Sequence, residues 1–151
     1  MKKKWRGIIF VMLLIVGSCS KDSVTPTKMA AKIDGKSWSA AFTANTLASD
    51  VIVITGTSAL SGIFAITIHG TTASTYELGI GKLECTATYK ASTLSTDLDI
   101  YESTAGKVVL TKIDRVNKKI SGTFQFTMFK PIADIISVSN GTFNDITFTE
   151  L

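Results

Sequence analysis

The chain has 151 residues, 45% of them hydrophobic and 19% charged, enough for one ordinary domain and too apolar for a disordered one. A single histidine, His69, and two cysteines exclude the dense His/Cys sets of zinc ribbons and iron–sulfur proteins, so no metal and no cofactor is expected. The formal charge of +4 points toward a nucleic-acid binder only until the positive residues are located.

Four of them, Lys2, Lys3, Lys4 and Arg6, open the chain. The apolar run Ile8–Val16 follows and is too short to cross a bilayer as a helix, which needs about 20 residues. A basic start followed by a short apolar core is the pattern of a secretory signal peptide. Val16-Gly17-Ser18-Cys19 resembles the bacterial lipobox, in which small residues precede a cysteine that receives diacylglycerol, is cut free, and is then N-acylated, commonly with palmitate. Residues 1–18 are therefore expected to be the signal peptide and Cys19 the lipidation site. Removing 1–18 takes four of the sixteen basic residues and none of the twelve acidic ones, so the exported chain carries twelve of each and no net charge. Nucleic-acid binding loses its electrostatic support. Several acyl chains at about 0.8 kcal/mol per buried CH₂ make the anchoring effectively permanent.

Residues 19–28 are polar, contain Pro26 and lack hydrophobic periodicity, which reads as a lipidated flexible tether. Ser20 after the cysteine, rather than Asp, resembles the sorting signal for the outer membrane. Lys21-Asp22 resembles surface-export signals of Bacteroidota lipoproteins, and Asp22-Ser23-Val24 resembles the O-glycosylation acceptor of that phylum.

From residue 29 to 151 the pattern is that of strands. Asp34-Gly35 suits a two-residue hairpin turn, and alternation over Lys36–Phe42 puts Trp38, Ala40 and Phe42 on one face. Val51–Thr55 is a β-branched run fit for a strand covered on both sides. Over Gly62–His69, Phe64, Ile66 and Ile68 share one face, and Ala65, Thr67 and His69 the other. Further strands are expected at Thr75–Leu78, Leu83–Ala91, Leu98–Glu102, Lys107–Asp114, Lys119–Phe129 and Ile135–Phe148, the last split in two by Asn140-Gly141. No stretch carries helical spacing. The expected fold is a single all-β domain, an antiparallel, meander-rich sandwich or flattened barrel of about nine or ten strands.

Its expected core is Trp38, Phe42, Ile54, Phe64, Ile66, Ile68, Tyr89, Val108, Leu110, Phe124, Phe126 and Phe143. Lipidation of Cys19 leaves Cys85 without a disulfide partner, and Cys85 is expected to be buried and inert. Gly122-Thr123-Phe124 and Gly141-Thr142-Phe143 repeat at 19 residues; each Gly is expected to mark a turn or bulge before a strand whose Phe enters the core.

A lipobox, the opening Ala31–Trp38, a central Ile-Thr-Gly strand, Gly106–Asp114, Ile120–Phe126 and the closing Val138–Ile146 together resemble a family of Bacteroidota lipoproteins of unknown function. That resemblance implies an envelope location and a β-rich fold, and it transfers no catalytic or ligand residue.

Chemistry is thin. Acyl transfer would rest on His69 alone, and its neighbours read as a solvated rim position. Asp97 and Asp99 share a strand face, with Glu102 on the other, so a carboxylate pair for glycoside cleavage or a weak Ca²⁺ site is conceivable. No catalytic residue is assigned. The favoured reading is a non-enzymatic binding or accessory module of the outer membrane, held to the membrane through Cys19, with an unknown protein or small molecule as ligand. The alternatives are an envelope hydrolase using the acidic cluster, or an inhibitor or immunity lipoprotein. Contacts are expected in the loops Asn45–Asp50, Gly70–Ser74, Ala91–Thr96 and Lys130–Asp134, whose lack of Trp and Tyr tilts the ligand away from sugars.

Overall fold

The computed structural model of the protein describes residues 28–92, 99–131 and 134–151. The expected signal peptide, Cys19, Asp22-Ser23-Val24, Asp97 and the tether up to residue 27 lie outside the described residues. Twelve strands are present among the described ones: β1 (Met29–Ile33), β2 (Lys36–Ser39), β3 (Phe42–Ala48), β4 (Val51–Thr57), β5 (Ile63–His69), β6 (Thr75–Gly79), β7 (Lys82–Leu83), β8 (Cys85–Lys90), β9 (Ile100–Asp114), β10 (Lys119–Lys130), β11 (Asp134–Thr147) and β12 (Thr149–Glu150). They form one sheet in the order β12-β3-β4-β5-β8-β9-β10-β11-β1-β2, and β6 pairs with both β7 and β9. Every pairing is antiparallel except the short parallel contact of β12 with β3. The all-β single domain is thus a single sheet curled on itself.

Local chemistry explains the elements. Asp34 and Gly35 both take positive φ, 49° and 74°, as the two-residue turn joining Ile33 to Lys36 requires. Alternation in β5 buries Phe64, Ile66 and Ile68 completely and leaves His69 exposed. β4 buries Ile52 and Ile54 inward, while Val51, Val53 and Thr55 are only half-covered on the outer side. The core runs along the inside of the curl, where Phe64 meets Trp38, Tyr89, Phe124 and Phe126 at ring-centroid distances of 5.8, 6.0, 5.3 and 6.5 Å.

Three expectations are corrected. Phe42 is 64% exposed, because the chain turns a corner at Ala40-Ala41 that resets the alternation: Ala40 N–H donates to Met29 and Ala41 N–H to Thr57. Asn140-Gly141 does not divide the last strand. Asn140 at φ 51° is a bulge inside β11, where the pairing steps from Phe124↔Gly141 to Phe126↔Val138. The segments expected at Leu98–Glu102 and Lys107–Asp114 fall on one strand, β9, which starts only at Ile100 and pairs first with β8 and then with β6; Leu98 lies outside the described residues.

The repeated Gly-Thr-Phe receives a structural reason. Gly122 is the register partner of Phe143, and Gly141 that of Phe124. A Cβ on Gly122 would lie 2.5 Å from the Phe143 ring, and one on Gly141 would lie 2.4 Å from the Phe124 ring. Each strand lays its phenyl ring across the other's glycine, and both rings are buried. The glycines sit at pairing irregularities as expected, but within long strands rather than before them.

Candidate functional site

Register sorts the connections between two ends of the curled sheet. The Asp34-Gly35 turn, the loop 58–62, the chain beyond Lys90 and the β10–β11 connection share one end. The Ser49-Asp50 turn, the segment 70–74, the turn 115–118 and the end of β11 share the other. Of the four expected contact loops, Asn45–Asp50 and Gly70–Ser74 therefore sit at the second end, while Ala91–Thr96 and Lys130–Asp134 begin at the first, their residues 93–96 and 132–133 lying outside the described residues. The first of them is also shorter than expected, since Asn45 through Ala48 belong to β3.

One end is closed. Asn45, the only buried polar side chain among the described residues, donates from Nδ2 to the Thr147 carbonyl (2.9 Å) and to Thr43 Oγ1 (3.2 Å), and its Oδ1 accepts from Thr55 N–H (3.3 Å). It ties β3 to the end of β11 across the seam that β12 also bridges, where Leu151 N–H donates to Leu47. Glu150 accepts from Arg115 (2.7 Å) and from Lys118, and Lys118 also lies 5.9 Å above the Phe148 ring. Cys85 begins β8 here. It is fully buried, as expected, its Sγ donates to the Tyr76 carbonyl (3.3 Å), and burial pushes its thiol up to about 11.

The other end is open. A depression of about 290 Å³ lies between Ile33, Trp38 and Ile136 on one side and Tyr89 and Tyr101 on the other, with Asp34, Lys36 and Asp134 at its rim. The three aromatic residues reach it from strands, not loops. Trp38 lies here because Gly56 has no side chain; a Cβ there would meet Met29 Sδ at 2.7 Å and Trp38 Cη2 at 2.8 Å. Trp38 Nε1 and the Tyr89 hydroxyl both donate to the Ser61 carbonyl at 3.1 Å, which fixes the loop 58–62 over the opening. Tyr89 faces Tyr101 across the β8–β9 pairing at 6.1 Å. These rings are less than a tenth exposed, so they offer edges rather than open faces.

Charge is arranged around Tyr101. Its hydroxyl donates to Asp134, which holds the phenol above its ordinary range. Lys130 Nζ lies 4.9 Å from the ring centroid, 3.6 Å from Asp134 and 3.7 Å from Asp99. Its ammonium is pushed upward first by the Tyr101 hydroxyl and then by the two carboxylates. Of the expected acidic cluster, Asp99 is thus engaged with Lys130, and Glu102 stands exposed on β9 opposite Phe129. The described residues bring these two into no carboxylate pair, and they include no group of three or more His, Cys, Asp or Glu able to share a metal ion. His69 is exposed at the closed end, far from this chemistry.

A second depression, about 360 Å³, lies on the outer face of β9–β11 around Gln125 and the Asn140 bulge. Its rim is Thr123, Gln125, Asn140 and Thr142, with Lys107 the one charged group. It gathers hydroxyls and amides without the rings and carboxylates of the open end, so the open end is the better candidate.

Residues 25–147 match the family described as Domain of unknown function (DUF6252). The chain belongs to that family. No curated protein and no solved structure matches this chain. Within the DUF6252 match fall both members of every element that shapes the open end, from Asp34 to Ile136, whereas β12 lies beyond it.

Proposed function

We propose that this DUF6252 chain is a lipid-anchored protein of the bacterial outer membrane, attached through Cys19, and that it is a non-enzymatic binding module whose open end receives a partner. The observation that carries the reading is the opening itself, a depression of about 290 Å³ walled by Trp38, Tyr89 and Tyr101 with Asp34 and Asp134 at its rim. A tether of nine residues, 20–28, spans at most about 30 Å between Cys19 and the fold. Support for binding over catalysis comes from the rings, which pack the interior, and from the acidic residues, which are tied to Lys130 or stand apart. The hydrolase alternative would need Asp99 freed from Lys130, and an inhibitor role would use the same open end.

The test is Cys19→Ala in the native host. The wild-type precursor is expected to incorporate a labelled fatty acid and to sediment with outer membranes, and the variant to do neither. Label retained by the variant, or an exported chain beginning elsewhere and free of acyl groups, defeats the proposal.

A further inference from the structure

Along β10 every second side chain points away from the core, and the outward row Thr123, Gln125, Thr127 bears no charge. The register sets Thr142 opposite Thr123 and Ser137 opposite Thr127 on β11. Between those pairs the bulge leaves two consecutive residues exposed, Ser139 and Asn140, so that both line depressions shared with Gln125. Protein surfaces ordinarily carry charge on about a quarter to a third of their residues, whereas hydroxyls and carboxamides fill three successive rows here. Among the described residues none of these side chains has a hydrogen-bond partner. One row nearer the closed end the pattern changes: Ser121 is bonded to Asp145, and Asp145 to Lys112. The depression around Gln125 and Asn140 meets a neighbouring one of about 290 Å³ at Gln125, and the second runs on past Thr127 and Ser137. Gly106 keeps its floor bare, since a Cβ there would lie 2.3 Å from the Gln125 carbonyl. From Thr123 to Phe129 the row is about 20 Å long. Phe129, 40% exposed and opposite Ile135, ends it with an apolar ring. Lysines flank its middle: Lys107 stands opposite Gln125 on β9 and Lys32 opposite Ser139 on β1. Both are exposed, and neither is in an ion pair among the described residues. Glu77, the register neighbour of Lys107 on β6, is held by Lys82.

We propose that this face binds an acidic glycan, a chain of sugars carrying carboxylates, laid along β10. The site goes beyond the role proposed for the open end and does not depend on it. Carboxamides suit sugar hydroxyls because each offers donors and an acceptor together, and a hydroxyl uses both. Gln125 and Asn140 bring two such groups to one depression. The Phe129 ring accepts the apolar C–H face of a sugar at the end of the row. The free ammonium groups of Lys107 and Lys32 match carboxylates on the chain, and no carboxylate lines either depression. A protein strand is the poorer occupant. β10 and β11 are paired on both sides and offer no free backbone edge, and Phe129 and Ile135 are the only large apolar side chains exposed along the row.

The test is calorimetric titration of the full chain in detergent with a galacturonate hexamer and, separately, with the neutral hexamer maltohexaose. Saturable binding is expected with the acidic chain, and about tenfold weaker binding with the neutral one. Gln125→Ala and Asn140→Gly each remove one carboxamide, and glycine accepts the positive φ of Asn140. Each is expected to weaken the acidic chain about fivefold, and Lys107→Met about threefold. Urea midpoints of these variants are expected to match the wild type, because the side chains removed are exposed and bond to no described group. Equal binding of the two hexamers overturns the inference, as does binding of neither. Acidic binding that persists unchanged in the Gln125→Ala, Asn140→Gly double variant also overturns it, since the chain then sits elsewhere. A dimer in sedimentation that Thr127→Arg dissolves would assign the face to a second copy and overturn it too.

Discussion

The two ends of this sheet solve the same problem with different materials. A curled sheet whose last strands do not complete a continuous ladder needs a lock at each end. At the closed end the lock is polar: Asn45, held by Thr43 and Thr55, donates across the seam to the Thr147 carbonyl, and β12 adds a short parallel pairing. At the open end it is apolar: Met29 and Trp38 press onto the bare backbone at Gly56, and Trp38 and Tyr89 hold Ser61. A polar lock uses up the polar atoms it recruits. An apolar lock recruits no polar atoms of its own, so among the described residues one oxygen each of Asp34 and Asp134 keeps no donor, and the proposed binding role is placed at this end.

The sharpest way to break this comparison is at Asn45. Asn45→Ala strands the Thr147 carbonyl and the Thr55 N–H in a partly buried seam, where water can reach them and each orphaned group costs less than the about 1–3 kcal/mol of a fully buried one. A loss of about 1–2 kcal/mol is expected in urea unfolding. A loss below about 0.5 kcal/mol, the range of ordinary surface changes, would show that β12 alone closes this end. The matching change at the open end is Gly56→Ala. The added methyl forces Met29 and Trp38 outward against a packed core, with an expected cost of about 1–3 kcal/mol. It should also shift Trp38 emission, since the indole must leave Ser61. An unchanged spectrum at full stability would mean that Trp38 does not bear on Gly56.

How much of this was legible in the sequence depends on the range of the interaction. The Asp34-Gly35 turn and the alternation of β5 are local, and both read correctly from residue types. Phe42 did not, because two alanines hide a corner that only the hydrogen bonds to Met29 and Thr57 reveal. Asn140-Gly141 has the composition of a turn. It becomes a bulge because Gly141 is held opposite Phe124 on a strand that continues past it. The open-end site was missed for a related reason: its aromatics were sought in loops, whereas Trp38, Tyr89 and Tyr101 lie in strands near their ends. Tyrosines 89 and 101, flanking a single connection, were the available signal. Asp34 and Asp134 are separated by 100 residues, and only the β1–β11 register brings them together.

The smallest effect at neutral pH, and one confined to the closed end, concerns Cys85. Its thiol is pushed from 9.0 to about 11 by burial, so the folded state holds the proton more tightly than the unfolded chain does. Below pH 9 both states are protonated and the group contributes no pH dependence. As pH rises from 9 toward 11 the unfolded chain loses this proton while the folded one keeps it, and the folded state loses stability across that window. Denaturation followed from pH 8 to 11 should therefore fall more steeply in the wild type than in Cys85→Ala, whatever the variant loses by the cavity it creates. In the same experiment a thiol reagent at pH 8 should react with the wild type only as it unfolds. Parallel slopes, or rapid labelling of the folded protein, would mean that the closed end admits water to Cys85 and is not closed.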